Sequence, residues 1–80
     1  MHKVLLVEDE KKVLSFIKRG LEDEQFEVET ASDGEEGYRK GSEGRFDLIV
    51  LDVMMPKKDG LTVVKELREK KILTPVLMLT

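Results

Sequence analysis

The sequence predicts a doubly wound α/β fold, an open parallel sheet with helices on both faces. Three observations carry that prediction. Short apolar runs alternate with amphipathic stretches along the whole chain, and strands separated by helices imply parallel pairing with right-handed crossovers. The runs "VLLV" and "LIVL" are continuous rather than alternating, as in strands covered on both faces. No repeat, linker or low-complexity tract interrupts the pattern, so 80 residues make one domain at most.

The elements follow in order. Val4 to Val7 is the first strand. Residues 10 to 24 place Val13, Leu14, Ile17 and Leu21 on one helical face and Lys11, Lys12, Lys18 and Arg19 elsewhere. Phe26 to Ala31, "FEVETA", alternates and reads as a second, weaker strand. Ser32-Asp33-Gly34 opens a short second helix, "GEEGYRKG", whose glycines cost helix stability. Asp47 to Leu51 is the third strand, running straight into Asp52. After Gly60, Leu61, Val64 and Leu67 repeat at helical spacing through Lys70. Pro75 then opens "VLMLT", a fourth buried strand. Charge pairs on the helices, such as Glu66 with Lys70, read as solvated faces.

Composition narrows the function. Hydrophobic residues make up 40% and charged residues 39% of the chain, which fits a soluble globular domain. The net charge of −3 argues against a nucleic-acid or anionic-membrane surface on this segment. With no cysteine there is neither a disulfide framework nor a thiolate zinc site. The apolar runs are too short to span a bilayer or to form the core of a signal peptide, so a cytoplasmic location is expected.

The acids carry the chemistry. In doubly wound sheets ligands bind outside the carboxyl ends of the strands, where strand order reverses. Glu8 and Asp9 follow the first strand and Asp52 follows the third. If those strands are neighbours, three carboxylates converge and resist ionising together. A hard divalent cation with oxygen ligands resolves the conflict, and Mg²⁺ suits it. Pro56 stiffens the loop that leaves the third strand. Asp59-Gly60 turns the chain into the third helix, with positive φ expected at the glycine. Such a loop would hold the Met54 carbonyl near the metal.

"VLLVEDE", "LIVLDVMMPKKDG" and "PVLMLT" together resemble the receiver domain of bacterial two-component response regulators. The resemblance covers the whole chain, in order and at matching spacing. It implies a flavodoxin-like sheet of strand order 2-1-3-4, an order carried over from the family. It also implies a phosphorelay. Asp52 aligns with the acceptor of a phosphoryl group from a sensor histidine kinase. Glu8 and Asp9 align with the Mg²⁺-binding acids, and Thr80 with the switch hydroxyl that bonds the phosphoryl oxygen. The domain would assist its own modification without being a turnover enzyme. The overall look is similar to receivers attached to DNA-binding output domains, so a transcriptional regulator is expected as the parent. Kinase specificity in this family usually lies on the first helix, here Lys11 to Gly20.

A domain of this family continues past the fourth strand with a helix, a fifth strand bearing a Lys, and a final helix. On that comparison residues 1–80 are expected to form roughly two-thirds of a receiver. Lys57 and Lys58 sit in a different loop and do not replace the missing Lys. The fourth strand would then be an open edge, and pairing with a second copy would close it. Two other readings compete. An aspartyl phosphatase of the haloacid dehalogenase kind needs a second Asp two residues after the nucleophile, where this chain has Met54. A non-phosphorylating fragment that associates through its open edge is the other.

Overall fold

The computed structural model describes residues 2–79. Its elements are β1 (Lys3–Val7), α1 (Lys11–Asp23), β2 (Glu27–Ala31), α2 (Gly34–Gly41), β3 (Leu48–Asp52), α3 (Gly60–Glu69) and β4 (Val76–Leu79). All strand pairs are parallel, in the order β2-β1-β3-β4. The predicted class and strand order both hold.

The sealing of β1 and β3 follows from their composition. Val4, Leu5, Leu6 and Val7 are fully buried, and Ile49, Val50 and Leu51 nearly so. Alternate side chains on each strand enter different cores. Val4, Leu6 and Val50 meet Leu14, Ile17 and Leu21 of α1 on one face. Leu5, Val7, Ile49 and Leu51 meet Val63 and Leu67 of α3, with Tyr38 of α2 alongside, on the other. Fully burying one such aliphatic side chain contributes about 1.5–3 kcal/mol, so this double-sided core is the main hold on the fold.

Four expectations need correction. Val13 is not on the inward stripe of α1 but 40% exposed, and the sheet-facing residues are Leu14, Ile17 and Leu21. The glycines of α2 do not simply weaken it. A Cβ on Gly37 would come within 2.8 Å of Val7 Cγ1, so the helix backbone lies directly on the sheet there. The fourth strand is not buried but an open edge, as the comparison with a longer domain implied: β4 is the outer strand among the described residues, α1 lies over β1 and β2, and Leu77 is 54% exposed. Finally, β3 is displaced by one residue. Asp47 precedes the strand, its carboxylate accepting from the Lys3 N–H at 2.8 Å. Asp52 ends the strand, in register with Leu79, because the ladder continues past it through the Val53 N–H to the Leu79 carbonyl at 3.1 Å.

Candidate functional site

β1 and β3 are neighbours, with Val7 opposite Leu51. The next residue on each strand is therefore an acid, Glu8 and Asp52, and the two leave the sheet side by side. Asp9 joins them from the start of the β1–α1 connection. One carboxylate oxygen from each of the three lies within 4.8 Å of the others.

Their surroundings differ. Glu8 is 6% exposed. Its main-chain N–H donates to the Ala31 carbonyl at 3.1 Å, and its Oε2 accepts from the Glu10 N–H at 3.0 Å. Burial pushes the Glu8 carboxyl above its ordinary range, and the neighbouring Asp52 and Asp9 add to the rise against the Glu10 N–H. Asp52 is half-buried and Asp9 is exposed. Asp52 Oδ1 accepts from the Met54 N–H at 3.2 Å, which turns the loop back over the acid.

The 53–59 loop is held at both ends. Gly60 is the first residue of α3, behind an Asp59 cap that accepts from the Thr62 N–H at 2.8 Å. The expected positive φ at Gly60 is absent. The glycine is needed for close approach instead: a Cβ there would sit 2.5 Å from the Asp52 carbonyl oxygen and 2.9 Å from Val53 Cα. The left-handed residue in this loop is Lys57, at φ +69. The Lys58 N–H donates back to the Pro56 carbonyl at 2.8 Å, so Pro56, Lys57 and Lys58 make a tight three-residue turn of the strained kind.

Sequence reasoning brought Glu8, Asp9 and Asp52 to one patch, and the structure places them there. Met54, Pro56 and Gly60 lie in the adjoining loop, with the Met54 side chain 79% exposed. Thr80 lies outside the described residues. The partners of the lysines were missed. Lys57 pairs with Asp33 at 3.6 Å, and Lys58 pairs with Glu66. The reading of Glu66 and Lys70 as a solvated pair is thereby corrected: Lys58 takes Glu66, and the Lys70 ammonium lies 5.7 Å from the centre of the Tyr38 ring. The cap of α2 was partly legible, since Asp33 and Glu36 stand at capping-box spacing. Asp33 accepts from the Glu36 N–H and Glu36 from the Ser32 N–H, each at 2.8 Å.

A close cluster of hard oxygen donors at the carboxyl edge of a parallel sheet can hold a small divalent cation. This donor set fits Mg²⁺. Residues 4–80 match the family described as the response regulator receiver domain. The chain belongs to that family. This receiver domain is 49% identical over 78 residues to the alkaline phosphatase synthesis transcriptional regulatory protein PhoP of Bacillus subtilis, covering 98% of this chain and 32% of that protein. It is 44% identical over 78 residues to the transcriptional regulatory protein ResD of the same organism, with the same coverage of both chains. The receiver thus spans about a third of the curated relatives it matches. Among solved structures it is similar to a Francisella response regulator receiver domain, with a TM-score of 0.93 and 38% identity over 98% of this chain and 64% of that one. It is also similar to the receiver domain of a sensor histidine kinase from Pseudomonas aeruginosa, which has a magnesium ion coordinated in its active-site cleft. There the TM-score is 0.94 and the identity 28%, over 99% of this chain and 66% of that one. No helix among the described residues is long and apolar enough to cross a membrane.

Proposed function

We propose that this receiver domain accepts a phosphoryl group on Asp52 from the phosphohistidine of a sensor histidine kinase. The observation that carries the reading is the meeting of the Glu8, Asp9 and Asp52 carboxylates within 4.8 Å at the ends of β1 and β3. Those three side chains, with the Met54 carbonyl, would hold Mg²⁺. Bound there, the ion supplies charge neutralisation for phosphoryl transfer. An Asp52 carboxylate oxygen attacks phosphorus, the P–N bond to the donor imidazole breaks, and the imidazole leaves with the bonding pair and takes up a proton. An aspartyl phosphate results. Thr80 is the hydroxyl that would bond a phosphoryl oxygen after transfer. The similarity to two transcriptional regulators supports a parent that controls transcription.

The test is intact-protein mass after incubation with Mg²⁺ and a small acyl phosphate. One phosphoryl adduct is expected in the chain and none in Asp52→Asn. A folded chain without an adduct overturns the reading.

A specific observation favours a second property. β4 is the outer strand among the described residues and Leu77 on it is 54% exposed, a side on which a further strand can pair. A second copy pairing along β4 is the expected occupant. Sedimentation at high protein concentration should show a dimer, and a monomer throughout would remove this property without touching the first.

A further inference from the structure

We propose that Gly34 and Tyr38 of α2 are positioning residues for the acidic site, acting through the 53–59 loop that docks on them. The inference rests on the metal-site reading above and adds residues to it.

The dock is built from three contacts. A Cβ on Gly34 would overlap the Lys58 carbonyl oxygen and come within 2.8 Å of Lys58 Cβ. The loop backbone therefore occupies the space a side chain would need at the first residue of α2. The Lys58 ammonium lies 4.7 Å from the centre of the Tyr38 ring while also pairing with Glu66 of α3. Lys57 reaches Asp33, the cap of the same helix, at 3.6 Å.

The other end of the loop belongs to the site. The Met54 N–H holds Asp52 Oδ1, and the Gly60 N–H holds the Val53 carbonyl at 2.8 Å. Between these ends lies the strained turn at Lys57. Such a conformation persists only where its surroundings over-determine it. Here the surroundings are Asp33, Gly34 and Tyr38 of α2 together with Glu66 of α3. The loop has little slack, so displacing Lys58 displaces Val53 and Met54 against Asp52. Helix propensity alone predicts the opposite sign, because alanine is the better helix former.

The experiment is Mg²⁺ titration of the full chain by calorimetry, with amide chemical shifts of residues 53–59 as a second readout. Gly34→Ala should weaken Mg²⁺ binding about tenfold, the usual cost of losing support behind a metal ligand, and shift the Met54 amide. Tyr38→Leu adds no bulk at the dock; it keeps an apolar side chain against the core and removes the ring that Lys58 and Lys70 face. It should weaken binding by about twofold to fivefold. Gly41→Ala is the control on the same helix. Its Cβ would meet the Ile49 and Leu67 side chains at 3.3 and 3.5 Å, away from the loop, and it should leave the affinity unchanged. Should Gly34→Ala fail to fold, Tyr38→Leu decides. Parent-chain binding that the folded variants leave unaltered overturns this inference alone. Absence of Mg²⁺ binding in the parent chain overturns the metal-site reading and this inference with it.

Discussion

Replacing Asp52 by Asn should make the metal-free chain more stable and abolish its stabilisation by Mg²⁺. The three carboxylates lie within 4.8 Å of one another. At that separation Coulomb's law gives about 3.5 kcal/mol per like-charge pair for an effective dielectric of 20, and about 0.9 kcal/mol in bulk water. Asp52 is half-buried and Asp9 exposed, so screening takes much of the larger figure. A net gain of about 1–2 kcal/mol remains. The asparagine can still accept from the Met54 N–H, so the loop loses no hydrogen bond. The assay is urea unfolding at neutral pH, with and without saturating Mg²⁺. With a slope of about 1 kcal/mol/M for a chain this small, the metal-free midpoint should rise by about 1–2 M. Mg²⁺ should raise the midpoint of the parent chain and leave that of Asp52→Asn in place. A metal-free variant less stable than its parent, or equal Mg²⁺ stabilisation of both, refutes the reasoning.

Lys57→Gly should stabilise the fold by about 0.5–1 kcal/mol, since it relieves a left-handed non-glycine residue. The ion pair it gives up is largely solvated, with the Lys57 side chain 62% exposed; a loss of stability on urea unfolding would count against the strained turn. Stability should also depend on pH in two opposite ways in metal-free buffer. Glu8 has its folded pKa raised above the ordinary 4.5, so its contribution is present below that value and lost as pH rises through the folded pKa. Asp33, Glu36 and Asp59 are lowered chiefly by the N–H groups of Glu36, Ser32 and Thr62, and Glu29 chiefly by its bond to Arg45. Their contributions are present above the unfolded pKa values and lost as pH falls through the folded ones. Urea midpoints should therefore climb as pH drops from neutral toward 4.5 and fall below it, and Glu8→Gln should flatten the climb.

Much of the fold and of the acidic patch was legible because the signals were local. "VLLV" and "LIVL" could only be sealed strands, and each ran into an acid, so adjacent strands had to bring the acids together. Gly60 was rightly singled out for the wrong reason: "DG" reads as a turn with positive φ, whereas the need comes from the Asp52 carbonyl behind it. The loop dock was illegible. It joins Gly34 and Tyr38 to Lys58 across a gap in sequence that no periodicity spans, and glycine at a helix start reads as poor propensity. The exposed Val13 and Leu77 have a similar cause, since a hydrophobic stripe does not say how much of the sheet one helix covers.

The seat of Gly60 on the Asp52 peptide has a mechanical meaning. Main-chain atoms join the acid directly to the start of α3: the Gly60 backbone rests on the Asp52 carbonyl, and its N–H grips the Val53 carbonyl. A linkage without side chains transmits a tilt of the Asp52 peptide stiffly, and substitutions along the outer surface of α3 leave it intact. The helix face is thus free to drift in sequence toward different partners while its origin stays bolted to the acid.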